Sequence, residues 1–164
     1  MVNIVIEVSK YLLILLIAAY TYWNFSYFRF QDPWQQGRVC VRQNVAMFLL
    51  HFVAYAVLFL KSEDERVILF YLAQVVFLAV YLGLYKVFYP LRSRLLVNNM
   101  CMLLCIGFVI LTRLDFDKAL RQFVIVAVSA LITWIIPFIL ERVWQLANIP
   151  WVYGFAGLAL LIVV

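Results

Sequence analysis

Between residues 112 and 122 the chain sets three cations, Arg113, Lys118 and Arg121, around two carboxylates, Asp115 and Asp117, in a short connection between apolar runs. Cations at a bilayer surface can meet an anionic lipid. They can equally pair with Asp115 and Asp117 as a solvated turn, where exposed pairs are worth little. His51 lies near the middle of another apolar run, and an ionisable side chain at membrane depth is a functional candidate by default. Its run holds no second His, Cys or carboxylate at ligand spacing, so metal binding is not expected. A neutral histidine hydrogen-bonded within a helix bundle is expected ahead of a proton relay. Cys101 and Cys105, four apart on one helical face, read as buried small hydrophobes, and with Cys40 they make no even disulfide framework. There is no Gly-rich phosphate loop, nucleophile elbow or metal cluster in the sequence, and no cofactor is expected.

The runs that hold these residues need a hydrocarbon surround. Hydrophobic residues make up 68% of the chain, charged residues 13%, and mean hydropathy is +1.04, against roughly 45–50% apolar and 25% charged in soluble domains. The pattern predicts an all-α, polytopic integral membrane helix bundle of about six transmembrane helices, the last one truncated. The 164 residues leave no room for a separate soluble domain. The net charge of +5 comes from Arg and Lys clustered between the runs, a pattern of headgroup contact and topology setting that excludes nucleic acid as a partner.

The first run, 11–28, continues past Ala18 and Ala19 into Tyr20, Tyr22, Trp23 and Phe25, so a retained anchor is expected rather than a cleaved signal. Residues 29–43 read as a loop, broken at Asp32-Pro33 and kept in water by Arg38 and Arg42. Spans follow at 44–60, at 67–89 with Tyr81, Tyr85 and Tyr89 in a stripe, at about 95–111 and at 123–140, where Pro137 should kink the helix or mark its exit. A polar linker occupies 61–66, a basic loop with Lys86, Arg92 and Arg94 occupies 86–94, and Glu141 opens a loop to Pro150. Gln74, Asn98 and Asn99 should bond across helices, while Ser129 with Thr133 and Ala79 with Gly83 offer small-residue faces. The last run, 151–164, ends without charge, cap or turn signal, so the chain reads as an amino-terminal fragment cut inside a sixth span. The strongest uncompensated basic loops, 29–43 and 86–94, favour the cytoplasm and put the amino terminus outside; the opposite loops mix their cations with Glu63, Asp64, Glu65, Asp115 and Asp117.

From Asn98 to Phe123 the string NNMCMLLCIGFVILTRLDFDKALRQF resembles the start of the conserved core of the SEDS family (RodA/FtsW/SpoVE; shape, elongation, division and sporulation). In that family the first core helix ends in an external polar turn and the second opens with a basic residue and Gln, here Arg121-Gln122. Residues 1–97 resemble the three extra helices that precede the core in a Firmicutes-type subgroup, leaving 98–164 as two core spans and part of a third. The family starts its first core helix in the cytoplasm, which agrees with the orientation preferred from charge.

The resemblance implies a bacterial plasma-membrane protein that polymerises lipid II into peptidoglycan, with a class B penicillin-binding protein as partner alongside membrane lipids. It implies that Arg113, Lys118, Arg121 and Gln122 are candidate substrate contacts, the cations facing a precursor pyrophosphate. The family's Pro-Ser-Glu stretch does not occur in these residues. Glycosyl transfer needs a base for the acceptor hydroxyl and cationic help for the departing pyrophosphate. The external acids Glu7, Glu63, Asp64, Glu65, Asp115 and Asp117 all sit in short turns, so no catalytic residue is expected and the chain alone should be inactive. The alternative is a non-enzymatic scaffold or subunit that packs against partner helices. Half of a transporter is a weaker third reading, because no internal repeat is present.

Overall fold

The computed structural model describes residues 2–89 and 93–142, and beyond them residues 151, 154, 155 and 157–159; side chains are described over 4–89 and 93–135 and at those last positions. Five helices follow one another: α1 (Val2–Arg29), α2 (Pro33–Ser62), α3 (Glu65–Phe88), α4 (Arg94–Leu114) and α5 (Phe116–Arg142). All five are long and apolar enough to cross a membrane. The chain is thus an all-α, multi-pass membrane bundle, and no strand occurs among the described residues. Glu141 and Arg142, expected to open a loop, still belong to α5; the rest of that loop, 143–150, and most of the expected sixth span lie outside the described residues, as do Pro90 and Arg92.

Met1–Phe123 form one compact unit and Val124–Val164 a second. In the first, α1 packs along α2, α2 lies against α3 and α4, and α3 touches α4. Its core at one end joins Tyr55, Val67, Phe70 and Ala119. There the Phe123 ring meets Phe70, Phe77 and Phe108 edge-on at centroid distances of 5.6, 5.5 and 5.7 Å, the arrangement that ring quadrupoles favour. Tyr81, Tyr85 and Tyr89 do form a stripe, with neighbouring rings 4.7 and 5.5 Å apart. In the second unit α5 continues as helix through Pro137, so the exit expected at that residue is not made there.

The loops are shorter than composition suggests. The segment 29–43 is not a loop: α2 begins at Pro33, and only Phe30, Gln31 and Asp32 separate it from α1. Proline suits the first helical position, where its missing N–H has no intrahelical acceptor to lose, and the Asp32 carboxylate caps the helix by accepting from Trp34 N–H at 3.2 Å. At 1.5 Å per residue the 30 residues of α2 extend about 45 Å, against a hydrocarbon core of about 30 Å. Its first turns therefore carry Arg38 and Arg42 out to headgroup depth while remaining helical. The linker at 61–66 likewise shrinks to Glu63 and Asp64. Glu63, at φ 52°, closes α2 through its N–H to Phe59 C=O at 2.8 Å, and Asp64 caps α3 by accepting from Arg66 N–H at 2.9 Å.

The connection at 112–122 contracts to one residue, Asp115. Its N–H bonds Leu111 C=O at 2.8 Å to end α4, and its carboxylate accepts from Lys118 N–H at 3.1 Å to start α5. That backbone bond, then the Lys118 ammonium, hold the Asp115 carboxyl below the usual carboxylate range. A depressed folded value means that its contribution is complete above the ordinary pKa of about 3.9 and is lost as pH falls through the depressed value. Asp115→Ala is expected to reduce hydrogen-exchange protection at the Lys118 and Ala119 amides about fivefold at neutral pH. The wild type should approach the same state only in strong acid. Unchanged protection in the variant would show that the joint is held by packing alone.

Two small-residue faces do not mediate close approach among the described residues. Ala79 and Gly83 are exposed, and a Cβ built on Gly83 meets nothing within 4 Å. Thr133 donates instead to its own helix at Ser129 C=O, 2.7 Å away, because a short hydroxyl satisfies itself there when no neighbour offers an acceptor.

Candidate functional site

Helices α2 and α4 traverse the first unit in the same direction, since one antiparallel pass, α3, lies between them. Each carries a cation one residue before its last, Lys61 and Arg113. Helix C-termini favour positive charge, and the shared direction puts both cations at one end of the bundle. They line a single cavity of about 380 Å³ together with Leu13, Ala54, Ser62 and Thr112. Neither makes an ion pair among the described residues.

Of the sequence-derived candidates, Arg113 alone lines this cavity. Lys118 is drawn off into a pair with Asp115 at 3.2 Å, both groups partly in solvent. Arg121 and Gln122 stand exposed on the second turn of α5 and are not part of the cavity wall. The structure therefore does not bring the four together: Asp115 captures Lys118, and Arg121 and Gln122 lie outside the wall that Arg113 lines. Lys61 was missed. The signal available for it was a basic residue in the last turn of a span two helices before the span that ends in Arg113.

Beneath the cavity a chain of buried polar groups crosses three helices. His51 Nε2 lies 2.9 Å from Gln74 Oε1, Gln74 Nε2 donates to Tyr55 Oη at 2.8 Å, Tyr55 Oη lies 2.8 Å from Thr112 Oγ1, and Thr112 Oγ1 donates to Phe108 C=O at 2.7 Å. Because the Thr112 proton goes to Phe108, Tyr55 must be the donor to Thr112. Tyr55 then accepts from the Gln74 amide, whose oxygen accepts the His51 Nε2 proton. Nδ1 has no partner among the described residues, and His51 is fully buried. A relay needs each member to accept and release a proton, and this chain ends on a backbone carbonyl. The hydrogen bond expected of His51 within the bundle is made, to Gln74 on α3.

A second polar layer ties the opposite end. Asn98 Nδ2 donates to Gln43 Oε1 and to Cys40 C=O, each at 3.1 Å; Gln43 Nε2 donates to Asn24 Oδ1 at 3.1 Å, and Tyr20 Oη to Asn99 Oδ1 at 3.0 Å. The expected cross-helix bonds of Gln74, Asn98 and Asn99 are all made. Cys101 and Cys105, both fully buried, fill the level between the two layers.

Asp64 and Asp115 cap helices, Glu7 pairs with Lys10 at 3.1 Å, and no carboxylate lines the cavity. Among the described residues no group of three or more His, Cys, Asp or Glu could hold a metal ion. Chemically, the arrangement offers two unpaired cations over an apolar recess: it can hold an anionic group attached to an apolar tail, and it presents no general base. No family model, curated protein or solved structure matches the chain.

Proposed function

We propose that this chain supplies the leading helices and the first core helices of a SEDS-type peptidoglycan glycosyltransferase of the bacterial plasma membrane, acting in cell-wall synthesis during growth or division. The observation that carries the reading is the resemblance over 98–123, with its polar turn and Arg121-Gln122. The geometry adds a motive for the turn: Arg113 and Lys61 over an apolar recess suit the pyrophosphate and lipid of lipid II. In this reading the amino terminus is outside, the cavity opens outward, the full-length protein works with a class B penicillin-binding protein, and the general base comes from a segment other than this one.

Charge at the two ends of the first unit supports that orientation. At the end holding Arg29, Arg38, Arg42, Lys86 and Arg94, the one acid among the described residues is Asp32; at the other end, the cations are matched by acids one for one. An excess of Arg and Lys marks the cytoplasmic side.

The test is lipid II polymerisation in liposomes by this 164-residue chain, beside a form extended through downstream core helices and supplied with its penicillin-binding partner. Glycan strands are expected from the extended form alone, and Lys61→Gln with Arg113→Gln in that form should raise KM for lipid II about tenfold while leaving kcat within a few fold. Product from the short chain would overturn the assignment of catalysis to another segment. Silence from both would favour the competing reading, a scaffold whose open apolar faces on α1, such as Ile14, Leu15 and Phe25, receive partner helices.

A further inference from the structure

The end of the bundle opposite the Lys61 cavity carries a second basic recess, which plays no part in the function proposed above. The first turns of α2 and α4 start side by side there, and Arg38, Arg42 and Arg94 line one open recess of about 410 Å³ with Trp34 and Gly37. The Arg38 guanidinium lies over the Trp34 ring, 4.8 Å from its centroid, a stacking that fixes one of the three forks. Arg94 reaches across to α2: a Cβ built on Gly37 would sit 3.4 Å from Arg94 Nη1, in van der Waals contact, so that guanidinium lies against the helix at Gly37. Arg38 and Arg42 also border a neighbouring hollow of about 220 Å³ beside Phe30.

The charges are unmatched. None of the three arginines makes an ion pair among the described residues. Asp32, the one described acid at this end, spends its carboxylate on the α2 cap, accepting from Trp34 N–H. Two helix N-termini add their positive dipole ends on the same side. Guanidinium forks match phosphate oxygens in pairs, and Trp34, 66% exposed, is the residue type that settles at headgroup depth.

The geometry points to a phospholipid site: Arg38, Arg42 and Arg94 hold the phosphate of an anionic lipid headgroup against Gly37, with Trp34 and Val41 beside its acyl end. The occupant is a lipid rather than a soluble anion because the recess opens at headgroup depth and its unpolar wall continues along α2 toward the hydrocarbon, where Val41 and Val45 are exposed.

The test uses the 164-residue chain in phosphatidylcholine nanodiscs titrated with phosphatidylglycerol, counting retained lipid by native mass spectrometry. Arg42→Gln with Arg94→Gln should weaken retention on the order of twentyfold, about fivefold per arginine. Lys10→Gln with Arg66→Gln, which removes the same charge from the other end, should leave it unchanged. Gly37→Leu keeps every charge and, in helical backbone, closes the recess from within; it should weaken retention as strongly. Equal loss in the Lys10 and Arg66 variant, or full retention in either recess variant with helix content preserved, would overturn the site. Displacement of the lipid by an equal concentration of inorganic phosphate would overturn the lipid as its occupant.

Discussion

Gln74→Leu is expected to destabilise the bundle by about 2 kcal/mol in reversible unfolding from lipid–detergent mixed micelles, a large effect for an interhelical hydrogen bond in a membrane protein, where the average is nearer 0.6. Leucine replaces the volume, so packing is not the main loss. What is lost is the acceptor for His51 Nε2–H and the donor to Tyr55 Oη, both at or below 2.9 Å and in a site without solvent. Tyr55 keeps its bond to Thr112, whereas His51, whose Nδ1 is already unpartnered, is left with no partner for either nitrogen. A buried polar group stranded in this way costs roughly 1–3 kcal/mol. The decisive variant is Gln74→Leu with His51→Leu, which removes the stranded group together with its partner. It should recover more than half of the loss, a coupling that contacts within one network show and independent sites do not. Simple additivity of the two single changes would mean that the pair contributes nothing as a pair.

Phe108→Ala is expected to cost as much, for a different reason. Phe108 is 2% exposed and its ring meets Phe123 edge-on. In a bilayer the unfolded helix already surrounds this side chain with hydrocarbon, so transfer from water, which dominates such losses in soluble proteins, does not enter. The remaining terms are the cavity, at about 24 cal/mol per Å³, and the aromatic pair, at about 1 kcal/mol, together about 2–3 kcal/mol. Phe25→Ala, which removes an equal ring from a surface 75% exposed, should change stability by less than about 0.5 kcal/mol. Equal small effects at both positions would show that the first turns of α5 are not docked on α4, and with them would go the aromatic cluster that joins Phe70, Phe77 and Phe123.

Much of this architecture was legible in residue types. The five spans follow from apolar length, because hydrocarbon tolerates backbone polar groups only where a helix satisfies them internally. Burial of His51, Gln74, Asn98, Cys101 and Cys105 was legible too, since a polar side chain inside such a run must face other helices to find a partner. The helix ends were less so. Asp32-Pro33 and Asp115 carry turn-forming residue types, and turn-forming and cap-forming chemistry are the same chemistry; only the backbone at the next residues distinguishes a stop from a start.

The amino-acid sequence by itself determined that this is a multi-pass helical membrane protein, which polar residues lie at membrane depth and which end of the bundle holds the uncompensated charge. Those properties are sums over local composition, and they hold in any packing of the helices. The tertiary structure alone decided that Lys61 stands with Arg113 while Arg121 does not, that Gln74 bridges His51 and Tyr55, and that Arg94 lies against α2 at Gly37. Each of those pairings joins residues 19 or more positions apart on separate helices, and their meeting depends on the rotation and depth of one helix against another, which no local pattern specifies.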